Sequence, residues 1–153
     1  MNRGFTLIEM IVAISIAAFM LGTGMLAYTR VARKQTLDQA TAGVAQILTQ
    51  ARANALSGKK QNCTATLLGW QVTFTASNYT LGEVCTAGSP IPVVQTVILP
   101  ILISATTLPS SNPIIFNRLN QGTNISSTAT ITLTNTKDMT TKSVTVSNIG
   151  VVQ

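Results

Sequence analysis

The sequence predicts an α+β fold: a long N-terminal α-helix, with a membrane half and an amphipathic half, packed on a small antiparallel β-sheet or sandwich domain. Three observations predict it. Met10 to Thr29 carry no charge over about twenty residues, enough to span the hydrocarbon of a bilayer as a helix. Leu37, Val44, Leu48, Ala51 and Ala55 then recur at three-, four- and seven-residue steps among Gln, Thr and Arg, the pattern of a helix with one apolar face. Beyond Gly58 the helical period gives way to short runs of Thr, Val and Ile punctuated by Gly and Pro.

The helix is expected to run to Ser57 and stop at Gly58, with Lys59 and Lys60 beside the negative end of its dipole. No proline interrupts it, and Gly22-Thr23-Gly24 is either a soft spot or a close helix–helix contact. Strands are expected at Gln61–Leu68 and Trp70–Thr75 around Gly69, at Val93–Leu99 and Ile101–Thr106 around Pro100, and at Ala129–Thr134 and Ser143–Asn148 around Lys137-Asp138. Ile131-Thr132-Leu133-Thr134 alternates so that one face is buried and the other wet. Pro92, Gln95 and Pro100 make the apolar run Ile91–Ala105 two buried strands rather than a second membrane helix.

At 153 residues the chain holds one domain plus a long helix. Apolar residues make up 46% and can supply a core, whereas only 9% are charged, so the wet surface is built from Ser, Thr, Asn and Gln, an uncommon cytosolic surface. With no His, two Cys and four carboxylates, acid–base catalysis and transition-metal binding have almost no groups to use, so the reading is non-enzymatic, with neither metal nor cofactor. From Gln35 onward Arg52, Lys59, Lys60, Arg118, Lys137 and Lys142 face Asp38, Glu83 and Asp138, six against three. That mild excess permits a nucleic-acid partner without demanding one.

Glu9 opens the apolar stretch, where a carboxylate costs on the order of 2–3 kcal/mol unless paired or protonated. It either snorkels to the headgroups from the helix end or has a partner. Gly4-Phe5-Thr6-Leu7-Ile8-Glu9, after the basic leader Met1-Asn2-Arg3 and before the apolar helix, closely resembles the class III signal of type IV pilins and of type II secretion pseudopilins. The resemblance implies a leader at 1–4, cleavage between Gly4 and Phe5 by a prepilin peptidase, and N-methylation of Phe5. It also implies an assembly helix at 5–29 in the inner membrane, an amphipathic continuation at 30–57 and a β-rich domain at 58–153 outside the cytoplasm. Glu9 then pairs with the terminal amine of a neighbouring pilin, the compensation a buried carboxylate needs. The flanking charges argue for the opposite orientation: Arg3 alone precedes the run, while Arg30, Arg33 and Lys34 follow it.

Ala51-Arg52-Ala53-Asn54-Ala55, Gly69-Trp70-Gln71-Val72-Thr73-Phe74, Ile114-Ile115-Phe116 with Gly122, and Val144-Thr145-Val146-Ser147-Asn148-Ile149-Gly150 resemble the GspH/FimT-type pseudopilin and minor pilin domain. That resemblance implies two β-sheets and a minor subunit at or near the tip of a pilus or secretion pseudopilus, meeting other pilins and secreted cargo. Cys63 and Cys85 close a loop of about 23 residues; a disulfide there is worth roughly 3 kcal/mol, two buried thiols being the alternative. Trp70 reads as a core aromatic, and Tyr79 falls in a polar loop before Cys85. DNA binding through Lys59, Lys60, Arg118, Lys137 and Lys142 is the alternative function, although the arginine-rich C-terminal stretch of DNA-binding relatives has no counterpart in Gly150-Val151-Val152-Gln153.

Overall fold

The computed structural model describes residues 6–86, 92–108 and 112–153, apart from the side chains at 22–24, 26, 27, 106–108 and 120. Helix α1 spans Leu7–Ser57, and seven strands follow: β1 Leu67–Phe74, β2 Asn78–Cys85, β3 Val93–Ile98, β4 Ile103–Leu108, β5 Ile114–Asn117, β6 Ala129–Asn135 and β7 Thr141–Val146. The fold is therefore α+β, with a long N-terminal helix and antiparallel sheets. The chain divides into two compact units, Met1–Gln35 and Thr36–Gln153.

In the second unit α1 ends where glycine lets it end. Gly58 takes φ 62, its N–H donates to Ala55 O at 3.3 Å, and the Lys59 N–H donates to Asn54 O at 3.0 Å. These two bonds close a Schellman motif and satisfy carbonyls that would otherwise be orphaned. Leu37, Ala40, Val44, Ile47, Leu48, Ala51 and Ala55 are all buried, so the apolar stripe read from periodicity is the stripe that packs.

One sheet has the order β3-β2-β1-β5 and the other β4-β6-β7. Strand β6 buries Ala129, Ile131, Leu133 and Asn135 in strict alternation. A single core joins the helix stripe to both sheets, with Trp70, Val72, Leu81, Ile114, Ile131 and Val146 completely enclosed. Two outer edges are sealed locally. The β5 edge bonds the following segment through Asn117 N–H to Gly122 O and Asn124 N–H to Ile115 O. Opposite β7, Thr145 and Gln153 exchange a pair of bonds at 2.8 and 2.9 Å.

Three expectations need correction. Residues 61–66 are not a strand: β1 begins at Leu67 and runs through Gly69, which lies inside it at a register shift. A Cβ at Gly69 would lie 2.3 Å from Phe116 O, so its role is close approach of β1 to β5 rather than a break. Tyr79 is not in a loop but on β2, buried, with its ring centroid 6.0 Å from that of Phe74. Of the run 91–105, whose first residue lies outside the described residues, β4 and β3 do form strands, but β3 is mostly exposed because it is an edge.

Candidate assembly site

Thr6 precedes the first helical residue and Glu9 stands three residues later, and the two form a reciprocal cap. The Glu9 N–H donates to Thr6 Oγ1, while the Thr6 N–H and hydroxyl both donate to Glu9 Oε2, each at 3.3 Å. This is a capping box, and it places a negative charge at the positive end of the helix. The T-x-x-E spacing was available in the sequence as a helix-start signal. Gly4 and Phe5, the expected cleavage and methylation positions, lie outside the described residues.

From Leu7 to Leu21 every residue is exposed, including Leu7 (79%), Phe19 (76%) and Leu21 (75%), and Ser15 hides its hydroxyl on Ile11 O at 2.8 Å. From Met10 to Leu21 the helix is apolar on every face apart from Ser15, a pattern that suits an apolar environment. Among the described residues no helix is long and apolar enough to cross a membrane. The uncharged run expected to span the bilayer includes 22–24, 26 and 27, whose side chains lie outside the described residues, and Met10–Leu21 alone is shorter than the ~20 residues required.

The loop leaving α1 is held by a group that composition counted only as surface charge. Glu83 on β2 is fully buried, and its carboxylate accepts the backbone N–H groups of Gln61, of Asn62 at 2.7 Å and of Cys63 at 2.8 Å. Cys63 and Cys85 are bonded, with Cα atoms 6.1 Å apart. The Trp70 indole N–H donates to Lys59 O at 2.9 Å. Three cross-links of different chemistry thus fix the first residues after the helix. The N–H groups of 61–63 point at Glu83 and are unavailable to a sheet ladder, so these three residues cannot extend β1 backward.

Tyr79 lies against the helix, where a Cβ on Gly43 would come within 2.9 Å of its hydroxyl. Burial raises its pKa above the ordinary tyrosine value by penalising the phenolate. Beside it a groove of about 220 Å³ is lined by Gly43, Gln46, Ile47, Gln50, Gln95 and Val97, with no charged group on its walls.

The five expected cationic residues do not converge. Lys59 and Lys60 follow the C-terminal end of α1, and Arg118 lies at the same end, because Trp70 reaches Lys59 O and pairs in the sheet with Phe116. Lys142 instead pairs with Asp38 at 2.6 Å near the start of this unit, with Lys137 in the adjoining β6–β7 turn. Asp38 and Lys59 are 21 residues apart, about 30 Å of helical rise.

Residues 1–25 match the family model for the prokaryotic N-terminal methylation motif. No curated protein and no solved structure matches the chain significantly.

Proposed function

We infer that this chain is a type IV pilin-like assembly subunit, and that it serves as a minor pilin or pseudopilin at or near the tip of a pilus or secretion pseudopilus. The observation that carries the reading is the methylation motif over residues 1–25, within which the side chains from Met10 to Leu21 are exposed and, Ser15 apart, apolar. A prepilin peptidase cuts between Gly4 and Phe5, the new amine is methylated, and the helix enters the inner membrane with the β domain outside the cytoplasm. The polar, charge-poor surface and the Cys63–Cys85 bond support an oxidising exterior.

In this reading Glu9 sets the register between subunits. Within one chain both donors to its carboxylate, the Thr6 N–H and hydroxyl, go to Oε2. Oε1 then accepts from the Phe5 ammonium of the neighbouring subunit, so that a charge costing about 2–3 kcal/mol in hydrocarbon finds its counter-charge there. The β domain presents its turns to other tip subunits or to cargo, and the function is structural rather than catalytic.

The reading is tested by the intact mass and N-terminal fragmentation of the protein from its own host, expected to show a chain that starts at methylated Phe5. Material that keeps its first four residues and still polymerises overturns it. Glu9→Ala is expected to insert into the membrane like the wild type but to enter filaments at a strongly reduced level, and equal incorporation would remove Glu9 from the assembly step.

A further inference from the structure

Three segments of the Thr36–Gln153 unit meet beside the C-terminal end of α1. Arg52 and Leu56 from the helix, Asn117 at the end of β5 and Ile149 from the chain after β7 line one small hollow. Main-chain bonds hold the parts in place: the Thr123 N–H donates to Asn148 O and the Gly150 N–H to Ser147 O, both at 2.9 Å. Leu56 (42%), Leu119 (67%) and Ile149 (63%) are exposed here. Leu119, two residues after Asn117, holds a left-handed backbone, φ 58 and ψ 37, where Asn or Gly would sit with less strain. Strain kept by an exposed apolar side chain points to a use outside the fold.

The charges at this end do not cancel. Arg52 forms part of the wall, Arg118 follows Asn117, and Lys59 and Lys60 come just past Leu56, where the Trp70 indole N–H donates to Lys59 O. The carboxylates of the unit are all engaged or placed elsewhere. Asp38 pairs with Lys142, Asp138 stands in the β6–β7 turn next to Lys137, and the buried Glu83 accepts three main-chain N–H groups. The helix dipole accounts for Lys59 and Lys60, but not for Arg118 or for the leucine that follows it.

We propose that this surface docks a segment of a different protein that sets carboxylates around an aliphatic side chain. The aliphatic group enters among Leu56, Leu119 and Ile149, and the carboxylates meet the guanidinium groups of Arg52 and Arg118. The uncancelled charge fixes the sign of the partner, and the aliphatic side chains fix its class. A nucleic acid would find no exposed aromatic here on which to stack a base, because Trp70 and Phe116 are buried. A second copy offers no matching segment, since its Asp38 is paired with Lys142 and its Asp138 adjoins Lys137. The inference concerns the Thr36–Gln153 unit alone and holds whether or not the N-terminal helix assembles as proposed above.

The test uses the full chain, with its disulfide intact, in uncharged micelles, and a fluorescent peptide in which a leucine is flanked by pairs of glutamates; empty micelles give the baseline. A saturable rise in anisotropy is expected, weakened at least about tenfold when the peptide carries glutamine for glutamate or serine for leucine. Leu119→Asn, which suits the left-handed backbone, is expected to weaken binding at least about threefold, and Arg52→Gln with Arg118→Gln about fivefold, with thermal unfolding unchanged. Lys137→Gln with Lys142→Gln removes as much charge at the other end and is expected to leave binding as it was. No saturable binding, equal binding of the glutamine or serine peptide, or equal weakening by the two double variants overturns the proposal. So does a single-stranded DNA oligonucleotide of equal charge that binds more tightly than the peptide, or self-association of the chain that Leu119→Asn abolishes, which gives the surface to a second copy. The peptide comparisons use the wild type and decide the matter even where a variant fails to fold.

Discussion

The backbone N–H of Cys63 donates to the carboxylate of Glu83 at 2.8 Å, and the sulfur of the same Cys63 is bonded to Cys85, two positions further along β2. One residue is thus fixed to one strand by both its main chain and its side chain, and the strand that holds it is the centre of the larger sheet beside β1.

Glu83→Gln keeps the shape but leaves one acceptor oxygen where two served three donors, so a buried N–H loses its partner. The expected loss is about 2–3 kcal/mol, read by urea unfolding of the oxidised full chain in micelles. Cys63→Ser with Cys85→Ser is expected to cost about 3 kcal/mol. Because both devices pin the same segment, the combined variant should depart from additivity by more than about 0.5 kcal/mol. Strict additivity would show that the two act on independent parts of the loop.

Two glycines should respond differently to the same methyl group. Gly69→Ala drives a Cβ to 2.3 Å from a main-chain oxygen of β5, which only a shift of the strand can relieve. A loss above about 2 kcal/mol is expected, with β5 amides exchanging faster. Gly58→Ala meets nothing within 4 Å and costs only the left-handed backbone penalty, about 1 kcal/mol. Equal losses would mean that the approach of β1 to β5 is not sterically limited.

Periodicity made the helix, its glycine stop and β6 legible, because in each the buried face recurs at a fixed step. It could not reveal β2. Asn78–Cys85 mixes Asn, Gly and Glu with its apolar residues, and the side chain that looks most like surface, Glu83, is enclosed. Asparagines misled in a similar way. Asn112 pairs both amide atoms with the main chain of Phe74, and Asn124 does so with Ile115 and Pro113, so part of the polar content staples strand ends instead of facing water. At the candidate site the motif and the Thr6–Glu9 spacing were visible; the helix-end cross-links were not, because contacts across twenty residues leave no local period.

Tyr79 gives a dependence on alkaline pH with a definite sign. Its folded pKa lies above the unfolded value near 10 because burial disfavours the phenolate. The stability it contributes is complete below pH ~10 and is lost as pH rises through the folded pKa. Unfolding measured between pH 9 and 11 should therefore fall more steeply for the wild type than for Tyr79→Phe, and parallel profiles would contradict this account.

The Asp38–Lys142 pair is short but nearly half exposed on both sides. Lys142→Ala is expected to cost less than about 1 kcal/mol, and the difference from wild type should fade in high salt. A larger, salt-independent loss would assign Lys142 a packing role instead.

The larger sheet is finished on its β5 flank and unfinished on its β3 flank, where Val93–Ile98 carries no charge to deter an approaching strand. Two copies joining there edge to edge, antiparallel, would leave only their sealed β5 flanks outermost, so such pairing closes on a couple and cannot propagate into a growing ribbon.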